Sequence, residues 1–352
     1  MKHYIIPIFI PHLGCLHQCI FCNQKRITGR ETPVTAEQVT AQIEERLKAV
    51  HRDRWIEVAF FGGSFTALPA AVQRDLLSPA HLALEQGRIH AIRLSTRPDC
   101  INGSIIANLK KHGVSIVELG VQSLDDNVLL KACRGHNSQD VIEATRLLKK
   151  SKIQCGLQLM PGLPGEDWIS LLATVRKMIE LRPDFVRIYP TIVIKDTVLA
   201  EQYSQGTYQP LTLSAAVARS AYMKLVFEQA GIAVIRTGLQ ATEELDSKAS
   251  VIAGPYHPAF GELVDSHIFY LMLAAFLEQD VIGRRTEIGI RYNPKDASKI
   301  RGQYNSNIKR LVQRYKLTAF NLSPDSAVKN GSILLTLKGD NYLLNKNMIN
   351  RI

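Results

Sequence analysis

The chain is expected to adopt an α/β fold, an incomplete TIM-like (β/α)6 barrel followed by a small basic α+β C-terminal domain. Three observations predict it. Short apolar runs alternate with helical patterns through the first 240 residues, the chemically unusual residues cluster just after several of those runs, and the alternation stops beyond residue 240. Strand followed by helix, repeated six or more times, implies parallel strands joined by right-handed crossovers. A doubly wound sheet satisfies the same pattern. The clustering at strand ends favours a barrel, whose functional groups come from the C-terminal ends of its strands.

The strand candidates are residues 4–10, 57–61, 91–95, 115–121, 154–159, 185–189 and 232–235. The helical patterns lie between them. In the first, Thr35 and Gln38 form a capping-box pattern, and Val39, Ile43, Leu47 and Val50 then fall on one face. A later helix spans 214–230 and stops at Gly231. Past residue 240 the expected elements are a helix over 263–277, a strand over 287–292, a helix over 298–313, and strands over 317–321 and 333–337. The predicted division is a core barrel over 1–240, a barrel-capping extension over 241–283 and a small basic domain over 284–352.

With 352 residues, 46% hydrophobic and 21% charged, the composition is that of a folded chain large enough to bury a barrel core. The first ten residues read as a strand rather than a leader, because the apolar run stops at Pro11 and no small-residue cleavage site follows. The most apolar helical stretch, 269–277, is too short to span a bilayer. A cytoplasmic location without a membrane partner is expected.

Six cysteines sit at 15, 19, 22, 100, 133 and 155. Three thiols within eight residues point to a metal or redox site rather than a disulfide framework. Cys100, Cys133 and Cys155 read as small core residues. From Arg284 onward there are fourteen basic residues against four acidic ones, so the tail carries +10 of the net charge of +11. RNA is the natural partner for such a polyelectrolyte segment, and a solubilising surface is the alternative. Basic and aromatic residues interleave at Arg291-Tyr292, 299–304 and 309–315, a pattern suited to contacting phosphates and stacking on unpaired bases. Those tyrosines can equally serve packing.

The most informative stretch runs from Pro11 to Cys22, directly after the first strand, and spaces Cys15, Cys19 and Cys22 as C-x3-C-x2-C. A fully ligated iron–sulfur cubane needs four thiolates. Three in one short loop can hold three irons and leave the fourth open, and an open position marks a catalytic centre, as it does in three-ligand zinc sites. S-adenosylmethionine (SAM) is then the expected fourth ligand, through its amino and carboxylate groups. A zinc site using these thiols with His12 or His17 is the competing reading.

This loop, with Phe21 just before the third cysteine, resembles the radical SAM superfamily motif. The segments Phe61-Gly62-Gly63-Ser64-Phe65-Thr66, Ser95-Thr96-Arg97-Pro98-Asp99, Glu118 to Ser123, Arg134-Gly135-His136 and Gly162 to Glu166 resemble, in order, segments of the Elongator catalytic subunit and of oxygen-independent coproporphyrinogen oxidases. The stretch Arg187-Ile188-Tyr189-Pro190-Thr191, continuing to Lys195, resembles the Elongator subunit most. The resemblance implies a 4Fe-4S cluster on Cys15, Cys19 and Cys22. It also implies a SAM site drawn from Phe21, Gly62, Gly63, Ser64, Arg97, Gln122, Ser123, Arg134 and Gln158.

The residues carry readings of their own. Carbonyls at Gly62 and Gly63 can approach a ligand closely. Gln122 and Ser123 can bond ribose hydroxyls, and Arg134 can pair with the methionine carboxylate. Arg97 precedes a proline and is therefore extended, aimed at the barrel mouth. Gln158 lies on the fifth strand and needs a partner, ligand or core. Gly162-Leu163-Pro164-Gly165 lacks the lysine of a phosphate loop and reads as a rigid turn. The catalytic candidates are Tyr189 and Lys195 after the sixth strand, with His257 and Glu262 in the glycine-flanked segment 253–262.

The Elongator subunit carries an acetyltransferase domain after its radical SAM region, and this chain is expected to lack one. The expected function is radical cleavage of SAM to a 5′-deoxyadenosyl radical that modifies tRNA or rRNA. RNA is expected to be held by the basic tail, and electrons to come from a donor such as flavodoxin or ferredoxin. Two alternatives stand beside it: radical chemistry on a small molecule such as a porphyrinogen, and a non-catalytic iron–sulfur or zinc protein that binds nucleic acid.

Overall fold

The structure, a computed structural model, describes residues 3–10, 18–23, 34–51, 53–240, 243–246, 250–279 and 287–349. In chain order, β1 (His3–Ile10) leads to α1 (Ala36–Lys48), β2 (Trp55–Gly62), α2 (Ala70–Glu85), β3 (Ala91–Thr96), α3 (Gly103–Lys111) and β4 (Val114–Gln122). Then come α4 (Asp126–Lys131), α5 (Ser138–Lys150), β5 (Gln154–Leu159), α6 (Trp168–Leu181), β6 (Phe185–Ile188), β7 (Val193–Ile194), α7 (Val198–Ser204), α8 (Leu213–Gln229) and β8 (Ala233–Thr237). Seven of these strands form one curled sheet in the order β1-β2-β3-β4-β5-β6-β8, and every neighbouring pair is parallel. The result is the half-barrel the alternation predicts, with a seventh strand added at its edge.

The helices start where side chains can satisfy the free backbone donors. Thr35 and Gln38 form the expected capping box on α1, Asn137 with Asp140 does so on α5, and Asp167 with Ser170 on α6. Their apolar faces then meet the sheet. Val39 and Ile43 of α1, Leu77 of α2, Leu109 of α3, Leu148 of α5, Met178 of α6 and Phe227 of α8 pack in one core with Ile8, Val58, Leu94, Leu119 and Leu157 of the strands. Burying a side chain of this size contributes roughly 1.5–3 kcal/mol, so this layer holds the helices on the sheet.

After β8 the chain forms α9 (Glu243–Asp246), β9 (Val251–Ala253) and α10 (Phe260–Gln279). It then makes β10 (Glu287–Tyr292), α11 (Ala297–Arg301), α12 (Ser306–Tyr315), β11 (Ala319–Pro324), β12 (Ser332–Leu337) and β13 (Asp340–Asn345). The last four strands form a mixed sheet, β11-β10-β12-β13, parallel only between β10 and β11. Strand β9 pairs antiparallel with β7.

Three expectations change here. The single helix over 298–313 is two helices, broken at Gly302. Helix α10 runs for 20 residues, beyond the expected 263–277 at both ends, and is, by length and composition, long enough to cross a membrane. Over half of its apolar stretch, 56%, is buried: Val264, Phe269, Leu273 and Leu277 pack with Ala221 and Leu225 of α8 and with Ile288, Ile290 and Leu335 of the small sheet. Finally, Cys155 is a buried core residue, but Cys133 is exposed and Cys100 half-buried.

Candidate active site

A cavity of about 280 Å3 opens at the C-terminal ends of β2 to β6. Its lining includes Cys19, Phe21, Cys22, Gly62, Gly63, Ser64, Arg97, Gln122, Arg134, Gln158 and Tyr189, so most of the residues singled out from sequence converge on one space. Cys15 lies outside the described residues, as do His12 and His17.

The loop carrying Cys19 and Cys22 is fastened on several sides. The backbone N–H of Ile20 donates to Ala132 at the end of α4 (3.3 Å), and the Ile20 carbonyl accepts from Leu199 in α7 (2.8 Å). The Asn23 amide donates to the carbonyls of Lys195 and Asp196. Beneath the loop, Ile20 and Phe21 pack with Val128, Leu163, Leu199 and Tyr208. Tyr208 in turn donates to the Gly162 carbonyl at 2.7 Å, so the Gly162–Gly165 turn is part of the floor under the cysteines.

Arg134 is 5% exposed, and its Nη1 donates to Cys19 Sγ at 2.8 Å and its Nη2 to the Gly120 carbonyl at 2.6 Å, with the guanidinium over the Phe21 ring. In place of the expected carboxylate pairing, its terminal nitrogens are committed to the protein. This sets a positive charge against a sulfur, which suits a donor that binds iron as thiolate. Glycine at 120 leaves room for both groups: a Cβ there would lie 3.0 Å from the Gln122 amide nitrogen and 3.3 Å from Arg134 Nη2, pressing on each.

A bulge between Gly120 and Gln122, with Gln122 at φ 69°, breaks the strand register and turns the Gln122 side chain into the cavity, where it accepts from Gln158 Nε2 at 3.3 Å. The same bulge points Ser123 the other way. Its hydroxyl sits 3.3 Å from that of Thr174 and accepts from the Asp125 N–H, so Ser123 is buried scaffolding and does not line the cavity. His136, next to Arg134, is pushed down to about 3 by burial and then by the Arg134 charge. Its neutral ring faces the Val121 carbonyl at 3.3 Å, behind the bulge.

Arg97 is 4% exposed and grips Asp99 with Nε and Nη2, both at 2.9 Å. Its Nη1 has no partner among the described residues, and the residue lines the cavity. A buried guanidinium N–H left unsatisfied is costly, and an anionic ligand group would satisfy it.

The structure also shows what the sequence reading missed. Glu57, Arg93, Glu118 and Arg187, on β2, β3, β4 and β6, form a continuous buried ladder: Arg93 Nε to Glu57 at 2.8 Å, Arg93 Nη1 to Glu118 at 2.7 Å and Arg187 Nη2 to Glu118 at 2.9 Å. Its last rung is Tyr189, whose phenol accepts from Arg187 Nη1. Four charges inside apolar strands were the visible signal. The opposite wall, Met160, Pro190, Ile192, Ile194, Leu239 and Leu245, is apolar and was not predicted.

Three of the catalytic candidates lie elsewhere. Lys195 is exposed outside the cavity, its backbone N–H tied to the Ser250 carbonyl. His257 Nδ1 accepts from the Ala259 N–H at the start of α10, and its Nε2 faces Gln303 at 3.4 Å. Glu262 is exposed on the first turn of α10. Proximity in sequence grouped His257 with Glu262, but neither side chain lines the cavity.

A half-barrel with thiols, a bulged glutamine and a buried arginine at its strand ends defines a pocket built to hold a cofactor. Residues 9–178 match the radical SAM superfamily and residues 183–269 match the radical SAM C-terminal domain. The chain belongs to the radical SAM superfamily, and its cofactors are a 4Fe-4S cluster and SAM. A tRNA uridine(34) acetyltransferase of Methanocaldococcus jannaschii is 32% identical over 263 residues, 63% of this chain and 48% of the relative. An uncharacterized protein of the same organism is 31% identical over 224 residues, 60% of this chain and 67% of the relative. Among solved structures, an N-terminally truncated Methanocaldococcus infernus Elp3 superposes with a TM-score of 0.60 at 25% identity, covering 76% of this chain and 63% of that one. The chain spans about half the length of the curated acetyltransferase relatives it matches. The cavity fits the two cofactors: it offers thiol donors beside a fixed cation and an unsatisfied guanidinium for a carboxylate.

Proposed function

We propose that the chain is an RNA-modifying radical SAM enzyme acting on tRNA. When bound, the cluster and SAM supply a 5′-deoxyadenosyl radical by one-electron reductive cleavage. Cys15, Cys19 and Cys22 hold the cluster, with Arg134 balancing charge at Cys19. Arg97 takes the SAM carboxylate through Nη1, the strand-end backbone at Gly62 and Gly63 takes its amino group, and Gln122, braced by Gln158, takes the ribose. Tyr189 and the apolar wall of Ile192, Ile194, Leu239 and Leu245 remain for the substrate and keep water from the reacting atoms. A flavodoxin- or ferredoxin-type protein in the cytoplasm supplies the electron.

The observation that carries the RNA reading is the charge left over in the C-terminal region. Arg291, Lys299, Arg314 and Lys346 are ion-paired, whereas Lys295, Arg301, Lys309, Lys316, Lys329 and Lys338 make no ion pair among the described residues. Cations without internal partners are available to phosphates. The relatives named for tRNA uridine(34) support the same reading. Nucleoside mass spectrometry of tRNA and rRNA from wild-type and deletion strains tests it. One modified nucleoside missing from the deletion strain is expected, and identical profiles would sink the reading.

A further inference from the structure

Tyr304 is 91% exposed, the most exposed large apolar side chain among the described residues, and its ring makes no stacking or cation contact there. It sits in the break between α11 and α12 with φ 53° and ψ 31°, and Asn305 follows at φ 60° and ψ 31°. Left-handed backbone is ordinary for asparagine but uncommon for a bulky aromatic residue. The fold therefore holds a large ring in solvent, in a conformation that ring does not favour, and gains no packing from it.

The loop is rigidly built around this residue. Gly302 has φ 68° and ψ 166°, and a Cβ there would lie 2.5 Å from the Ser306 hydroxyl and 3.1 Å from the Asn307 nitrogen, so no other residue fits. Asn307, 4% exposed, clamps the break: the two protons of its Nδ2 are shared among the Ser266 carbonyl and hydroxyl, both at 2.9 Å, and the Lys299 and Ile300 carbonyls at 3.2 and 3.3 Å. Asn305 N–H donates back to the Gly302 carbonyl at 3.1 Å.

The loop is linked to the cavity wall at one remove. Gln303 meets His257, three residues beyond Gly254, where a Cβ would be 3.1 Å from Ile192 Cα in the cavity wall. Arg301 ends α11 and Lys309 lies in the first turn of α12, so two cations without ion pairs among the described residues flank the ring in sequence. A fixed, solvated aromatic between free cations has the chemistry that recognises an unpaired nucleotide: a face for the base and positive charge for the phosphates.

We propose that Tyr304 is a stacking post for an unpaired base of the RNA substrate, with Arg301 and Lys309 holding the flanking phosphates. This rests on the RNA reading above and locates where RNA is gripped before one nucleotide enters the cavity. The role missed for His257 then becomes clear: it props the loop through Gln303 instead of reaching the chemistry.

The test is binding of the cluster-loaded full chain to unfractionated tRNA, a short oligouridine and a blunt RNA duplex, followed by fluorescence anisotropy over a salt series. Tyr304→Ala is expected to weaken tRNA and oligouridine binding about tenfold, within the range for loss of one base–aromatic stack, and to leave the salt slope unchanged. Tyr304→Phe should bind as wild type. Arg301→Ala and Lys309→Ala should each reduce the salt slope by about one. A wild-type chain that binds none of the three RNAs removes the RNA reading itself. Binding by the wild type with equal affinity in Tyr304→Ala, or duplex bound as tightly as oligouridine, overturns the stacking role alone. A ring that contacts a protein partner instead would give that same equality.

Discussion

Arg187 Nη1 donates to the phenolic oxygen of Tyr189 at 2.9 Å. A guanidinium has no acceptor, so this contact uses an acceptor site of the phenol and leaves its O–H free to donate. Tyr189 lines the cavity, and that proton is therefore available to an acceptor on whatever enters. Tyr189→Phe keeps the ring and removes the donor. Product formation should fall about 10- to 100-fold, the cost of leaving a desolvated acceptor unmatched, while 5′-deoxyadenosine still forms. The ratio of modified product to 5′-deoxyadenosine reads this directly, and an unchanged ratio would show that the phenol does not touch substrate.

The ladder behind Tyr189 makes a prediction about charge balance. Glu57, Arg93, Glu118 and Arg187 are two negative and two positive charges. Arg187→Met leaves three of them, one carboxylate in excess in the barrel interior, and should destabilise by about 3–5 kcal/mol. The double substitution Arg187→Met with Glu118→Leu leaves the balanced Arg93–Glu57 pair and should recover half or more of that loss. Urea midpoints at constant slope measure both, and a double variant less stable than the single one contradicts the argument.

How far the sequence carried these conclusions differs by element. All seven strands of the half-barrel were legible as short apolar runs, which the inner strands owe to burial in a parallel sheet, although the edge strand β8 has no fully buried residue. Strands β7 and β9, with two and three residues, are too short for any periodicity to register. Strand β13, with Asn341, Asn345 and an exposed Leu343, carries no apolar alternation to read. Most cavity residues were found because they follow strand ends in sequence. Ser123 was misplaced because a one-residue bulge reverses side-chain direction, and no local pattern announces a bulge. The charges of the ladder were visible inside apolar strands but their pairing was not, because the partners are 25 to 69 residues apart and meet only once the strand order is known.

Arg134 should control how firmly the cluster is held. Its Nη1 is 2.8 Å from Cys19 Sγ, and outer contacts of this kind typically change metal affinity 10- to 100-fold. Arg134→Ala is expected to lose iron and sulfide to a chelator at least about tenfold faster than wild type, with Arg134→Lys intermediate because a point charge replaces a fork. Loss of the cluster absorbance over time is the measurement. Wild-type kinetics in Arg134→Ala would remove the proposed charge balance at Cys19.

The scattered thiols should separate cleanly in reactivity. Burial pushes the Cys155 thiol up to about 12 and shields it, whereas Cys133 is exposed. Thiolate is the reactive form, so at neutral pH an alkylating reagent should label Cys133 in the cluster-loaded protein and leave Cys155 untouched until the chain unfolds. Peptide mass spectrometry after timed labelling checks the order, and early labelling of Cys155 would mean that the β5 core opens locally.

Glu166 ties the turn under the cysteine loop to α8, accepting from the Gly162 N–H at 2.8 Å and from Arg219 at 2.7 Å. Burial nevertheless dominates and raises its carboxyl from 4.5 to about 7. Between those two values the folded chain keeps a proton that the unfolded chain has lost, so this group makes stability fall as pH rises through that window and level off above it. The shift is worth about 3 kcal/mol in all. Glu166→Gln holds the neutral form at every pH and should flatten that part of the profile. At pH 5 the variant should resemble the wild type, and at pH 8 it should be relatively more stable. Urea denaturation from pH 4.5 to 8 measures both curves, and parallel profiles would show that Arg219 keeps the carboxylate ionised.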